Sequence, residues 1–141
     1  MNTIKDFNNL GTSPYLDDKE SPRRYFLISR QLPFFIEDTL KNTQKLDLSK
    51  EDITKVKELM TKTKPQVVDN ATNVKRLELE AIEKIVDQKC SIEEVDKVFE
   101  QIANIQLKMQ RIHANCIKDV QSILSDDQYD RLIQILKNEG K

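Results

Sequence analysis

Residues 90–124 read CSIEEVDKVFEQIANIQLKMQRIHANCIKDVQSIL. At ~100° per residue, Val95, Val98, Phe99, Ile102, Ile105, Met109, Ile112, Cys116, Val120, Ile123 and Leu124 fall on one face. The stretch therefore predicts one long amphipathic helix from Ile92 to Leu124. Ser91, with Glu94 three residues on, has the spacing of a capping box, in which each side chain satisfies a backbone donor near the other. Ser125 and Gln128 repeat the arrangement and open a last helix with Tyr129, Leu132, Ile135 and Leu136 on its apolar face. Two polar residues, Gln106 and His113, lie within the long stripe, and they direct the search for chemistry.

Upstream, Ser49 is placed to cap a second long helix, with Glu51 and Asp52 in the first turn where the helix dipole favours acids. Ile53, Val56, Met60, Thr63, Val67, Ala71, Val74, Ala81, Ile82 and Ile85 share one face, and the phase is not reset at Pro65. One helix bent at Pro65 and ending near Lys89 is expected, folding back at Cys90 as an antiparallel hairpin. Earlier still, Ser21-Pro22 marks a helix start, with Tyr25, Ile28, Leu32, Phe35, Ile36, Thr39 and Thr43 in phase through Pro33. Pro33 should kink or interrupt that helix, or the helix begins only there. Residues 1–21 are polar and aperiodic and read as a flexible tail or linker. The expected architecture is a single all-α domain over residues 22–139: an elongated antiparallel hairpin with flanking helices, four to five in all.

Composition narrows the function. The 141 residues hold two glycines, Gly11 and Gly140. A glycine-free interior disfavours phosphate-cradling loops, nucleophile elbows and Rossmann turns, so an enzyme is not expected. The 23 basic and 24 acidic residues are interspersed, whereas nucleic-acid binding needs a concentrated basic face. No run approaches the ~20 apolar residues of a membrane span, and the first twenty residues have no signal-peptide core. The chain is thus expected to be cytoplasmic, or to follow a targeting segment upstream of Met1.

Met109, His113 and Cys116, spaced four and three apart, stand on successive turns of the long helix and offer a thioether, an imidazole and a thiol. That set suits zinc, copper, nickel or cobalt, with Met60, Glu37 and Asp38 as completing groups; the competing reading is an ordinary core. Cys116 lies far along the helix from Cys90, on the order of 40 Å at ~1.5 Å per residue, so an intrachain disulfide is not expected. Cys90 stays free or pairs between chains. Glu78 and Gln106 read as a hydrogen-bonded pair fixing hairpin register. A di-iron Glu-x-x-His pattern is absent, since Gln110 stands three before His113. Tyr25, Phe26, Phe34 and Phe35 cluster beside Arg23, Arg24 and Arg30, giving Arg23, Arg24, Phe26, Arg30 and Phe34 as candidate contacts for a client chain or a second copy.

The boxes Leu46-Asp47-Leu48-Ser49-Lys50-Glu51-Asp52 and Ile123-Leu124-Ser125-Asp126-Asp127-Gln128 resemble the paired LTxxQ-type motifs of the Spy/CpxP periplasmic stress proteins, a superfamily that includes CnrX/ZraP-type heavy-metal-resistance proteins. The resemblance covers about residues 32–137. The first box departs from it in having Asp52 where the family has Gln. It implies a hooked or cradle-like, dimeric, non-enzymatic protein of the periplasm. Such a protein holds unfolded or membrane-associated polypeptide clients, or acts with a signalling partner to relay envelope stress. The sensor branch implies a transition-metal site at His113, although Ile117 stands where those sensors carry a second ligand. A cytoplasmic helical adaptor is the third reading.

Overall fold

A computed structural model describes residues 35–139. Among them the fold is all-α, with four helices and no strand. Helix α1 spans Phe35–Lys41, α2 Lys50–Ile82, α3 Ile92–Ile123 and α4 Asp126–Glu139, and a π-helical turn, Glu83–Asp87, extends α2. The all-α expectation of four to five helices holds. The tail over residues 1–21, the helix start at Ser21-Pro22, the kink at Pro33 and the contact residues Arg23, Arg24, Phe26, Arg30 and Phe34 lie outside the described residues.

The chain divides into two compact units. One, here the four-helix unit, takes in residues 35–66 and 111–139; the other, the hairpin unit, is Val67–Gln110.

In the four-helix unit, Phe35, Ile36, Leu46, Val56, Leu59, Cys116, Val120, Leu124 and Leu132 form one buried cluster. Phe35 meets Tyr129 edge to face, ring centroids 5.7 Å apart, so α1 is held on α4 by an aromatic pair as well as by burial. The link from α1 to α2 closes without glycine. Asp47 adopts φ 54, its N–H donates to Gln44 O (3.0 Å), and the Leu48 N–H donates to Thr43 O (3.0 Å). This is the Schellman pattern, with an aspartate where glycine is usual. Ser49 then caps α2, its Oγ accepting from the Asp52 N–H at 3.1 Å. The helix runs through Pro65 as expected. Pro65 is exposed, as is Thr61, whose carbonyl lost its intrahelical donor, so water can satisfy that oxygen.

In the hairpin unit, Leu77, Ala81 and Val98 pack together with Ile102 and Ile105 against them. Val74 and Val95 are also buried. The turn is tied by the Gln88 N–H to Glu83 O (3.0 Å) and the Cys90 N–H to Lys84 O (2.9 Å), with Lys89 at φ 52. Ser91 Oγ accepts from the Glu94 N–H at 3.3 Å and starts α3.

Two expected core positions are corrected. Ile85 is exposed because the π-helical turn carries about one residue more per turn than an α-helix and breaks the phase that aligned it with Ala81. Phe99 is exposed as well, since it sits at the edge of the stripe, about 70° from the line through Val95 and Val98 at ~100° per residue. Leu59 and Leu77, absent from the expected face of α2, are buried.

Candidate functional site

The second box does more than cap its own helix. Gln128 Oε1 accepts from the Ser125 N–H at 2.9 Å, and the Gln128 N–H donates to Ser125 Oγ at 3.1 Å. Its amide nitrogen donates to Leu46 O (3.1 Å) and Asp47 O (3.3 Å), carbonyls of the first box more than eighty residues earlier. Arg131, one turn on, donates to Lys45 O at 3.0 Å and pairs with Asp127 at 3.1 Å. The two boxes are therefore one interlocked structure, in which α4 supplies donors to carbonyls left open where the chain leaves the α1 turn. Sequence spacing predicted the cap at Gln128; it held no signal for the reach to Leu46, nor for Arg131.

Of the candidate metal ligands, Met109 falls in the hairpin unit and His113 and Cys116 in the four-helix unit. Met109 and His113 are fully buried, and Cys116 nearly so. The His113 ring is engaged by its surroundings. Burial pushes the Cys116 thiol up to about 11, the Asp119 carboxylate adding to the rise while a hydrogen bond with Thr63 opposes it. A thiol in that state is a poor nucleophile and a reluctant ligand. Glu37 is exposed, while Asp38 and Met60 are half-buried. Among the described residues no group of three His, Cys, Asp or Glu is placed to hold a metal ion.

Both cysteines are free. Cys90, half-buried at the hairpin turn, lies 3.5 Å from the Gln88 side-chain oxygen. Partial burial raises its pKa, and the Glu94 carboxylate, which also accepts its hydrogen bond, raises it further; Lys84 opposes them. Glu78 and Gln106, expected to fix register, are both half-buried in the hairpin unit, and Glu78 is engaged.

The hairpin unit also displays an apolar surface. Ile92 is 78% exposed, Phe99 45% and Leu107 41%, with Val68 on α2 at 39% and Ile85 beyond it at 48%. At ~100° per residue, Ile92, Phe99, Ala103 and Leu107 fall within about 80° of one another, roughly 110° round the helix from the buried line of Val95, Val98 and Met109. Helix α3 thus carries two apolar faces: one closes the hairpin, and the other, of which the expected stripe held only Phe99, is exposed.

No known protein-family profile matches the chain. No solved structure matches it. It is similar to the uncharacterized mitochondrial protein Mp05 of Dictyostelium citrinum, with 28% identity over 119 residues, 77% of this chain and 30% of that protein. The chain spans less than a third of the relative's length.

Proposed function

We propose that this chain is a non-enzymatic helical binding protein that holds loosely folded polypeptide on the outward stripe of α3, the role implied by its resemblance to the Spy/CpxP stress proteins. The observation that carries the reading is the alignment of Ile92, Phe99 and Leu107 on one exposed face of the hairpin unit. Large apolar side chains left exposed along one helix face are a feature of surfaces that bind a partner. The contact between the two boxes through Gln128 supports the resemblance, because the two sequence motifs that suggested it act on each other.

Light scattering tests the role. A client protein denatured and diluted into buffer should aggregate less with an equimolar amount of the chain, and Phe99→Asp with Leu107→Asp should abolish the protection. Equal aggregation with and without the wild-type chain would defeat the proposal. The homodimer that the resemblance also implies is checked by sedimentation velocity.

A metal-sensor role is the second reading, favoured by the burial of His113 and Cys116 three residues apart in one unit. It requires Cys116 to release a proton that its surroundings hold. Titration with zinc, copper, nickel and cobalt, against a His113→Ala control, tests it; equal affinity in the variant removes the ligand. For location, the resemblance speaks for the periplasm and the relative's name for a mitochondrial setting, and fractionation of cells carrying the tagged chain separates them.

A further inference from the structure

The exposed face of α3 carries its charges in a definite order. Helix α3 runs from Ile92 to Ile123, and at ~100° per residue Ile92, Phe99, Leu107 and Ala114 lie within about 40° of Ala103 on either side. Glu93, Asp96, Glu100, Arg111 and Lys118, all exposed, border one flank of that line, about 20° to 80° from Ala103. The opposite flank has no charged residue over the same angle. On the charged flank every acid precedes Ala103 and every base follows it. A partner that matches this face must present apolar side chains beside the reverse order, with a cation opposite Asp96 and an acid opposite Arg111.

A second copy of α3, laid antiparallel, has that order by construction. With Ala103 of one copy against Ala103 of the other, Phe99 stands level with Leu107 of the second copy and Ile92 with its Ala114, because each pair is equidistant from Ala103. Asp96 then falls within ~1.5 Å of the level of Arg111 in the second copy, at ~1.5 Å rise per residue. The two-fold axis of such a pair keeps each charged flank on the same side as its counterpart, so acids meet bases. The small Ala103 at the crossing lets the two helices approach closely. A parallel copy would set Asp96 beside Asp96 and Arg111 beside Arg111, like against like.

We propose that two copies of this chain associate through the exposed face of α3, antiparallel about Ala103, with Phe99 packed on Leu107 and Asp96 paired with Arg111 across the interface. Each of these contacts occurs twice, because the interface is isologous. It takes Phe99 and Leu107 out of water and sets the acidic border of one copy against the basic border of the other. A single helix pair ~33 Å long is a small interface, so the dissociation constant is expected on the order of 10 μM. The association does not rest on the client reading; where a client also binds this face, it competes with the second copy.

Sedimentation velocity on the full-length chain reads the association with no client present. Wild type should pass from monomer to dimer between about 1 and about 100 μM. Asp96→Arg and Arg111→Glu, both at exposed positions, should each weaken the dimer about tenfold, since each sets like charges together twice. Combined in one chain, or carried on two chains that are then mixed, the same substitutions should restore it, because opposite charges meet again. A parallel pair would leave Arg111→Glu without effect. Cross-linking reads the orientation directly. With Cys90→Ser removing the half-buried thiol and Cys116 enclosed, Ala103→Cys should give an interchain disulfide on oxidation. Ile92→Cys should give little, its counterpart lying about 33 Å away at ~1.5 Å per residue. Monomer throughout that concentration range, single-charge variants that dimerise as tightly as wild type, no restoration on mixing, or equal cross-linking at Ile92 and Ala103 would each overturn the proposal. A chain that stays monomeric yet suppresses client aggregation would lose the self-association and keep the client reading; a dimer without protection would do the reverse.

Discussion

Thr39 is fully buried, and its hydroxyl oxygen makes no hydrogen bond. A buried hydroxyl without a partner keeps its desolvation cost and gains nothing in return, so Thr39→Val, nearly the same in shape, should raise stability by about 1 kcal/mol. A urea titration reads this as a higher midpoint at unchanged slope; a lower midpoint would mean that the hydroxyl is satisfied after all. Cys116 gives a prediction of a different kind. Its folded pKa of about 11 stands above the ordinary 9.0 because burial disfavours the thiolate, so the folded chain keeps a proton that the unfolded chain loses. The resulting stability is fully present below pH 9 and is lost as pH rises through 11. The stability difference between wild type and Cys116→Ala should therefore shrink between those values, by on the order of 2 kcal/mol. A difference that stays constant would show that the thiol is not held protonated. This property was not legible in the spacing of Met109, His113 and Cys116, which shows that three soft groups share a helix face but not that the face is closed around them.

The helices were legible where their determinants are local. Ser49, Ser91 and Ser125 each accept the N–H three residues on, as the boxes require, because a cap needs only its own first turn. Features set by fit to a neighbour were less visible. The π-helical turn over Glu83–Asp87 has no hydrophobic signature, and it displaced Ile85 from the face that strict α periodicity assigned it. That turn ends on Lys89 at φ 52, a left-handed conformation that costs a residue with a Cβ roughly 1–2 kcal/mol and glycine little. Lys89→Gly should therefore stabilise the hairpin by about 1 kcal/mol, less whatever the freer unfolded chain takes back. Thermal unfolding followed by circular dichroism checks it, and a lowered midpoint would mean that the lysine side chain contributes more than its backbone costs. The reach of Gln128 to Leu46 lies at the far end of this scale: the cap is local, while the carbonyls it serves come from another part of the chain.

Over the whole chain, burial is distributed unevenly. The four-helix unit encloses Leu46, Val56, Val120 and Leu132 completely and ties α4 to the α1 turn through Gln128 and Arg131. Near its turn the hairpin unit has a π-helical segment without a buried residue, then the exposed Ile92 and Phe99. Backbone hydrogen bonds shielded by few apolar contacts open at low free energy, whereas those inside a closed core open only when most of the structure does. Hydrogen exchange should accordingly be slowest for amides 54–64 and 113–123 and fastest, within the helices, for 83–98. Uniform protection along α3 in wild type would contradict the uneven burial.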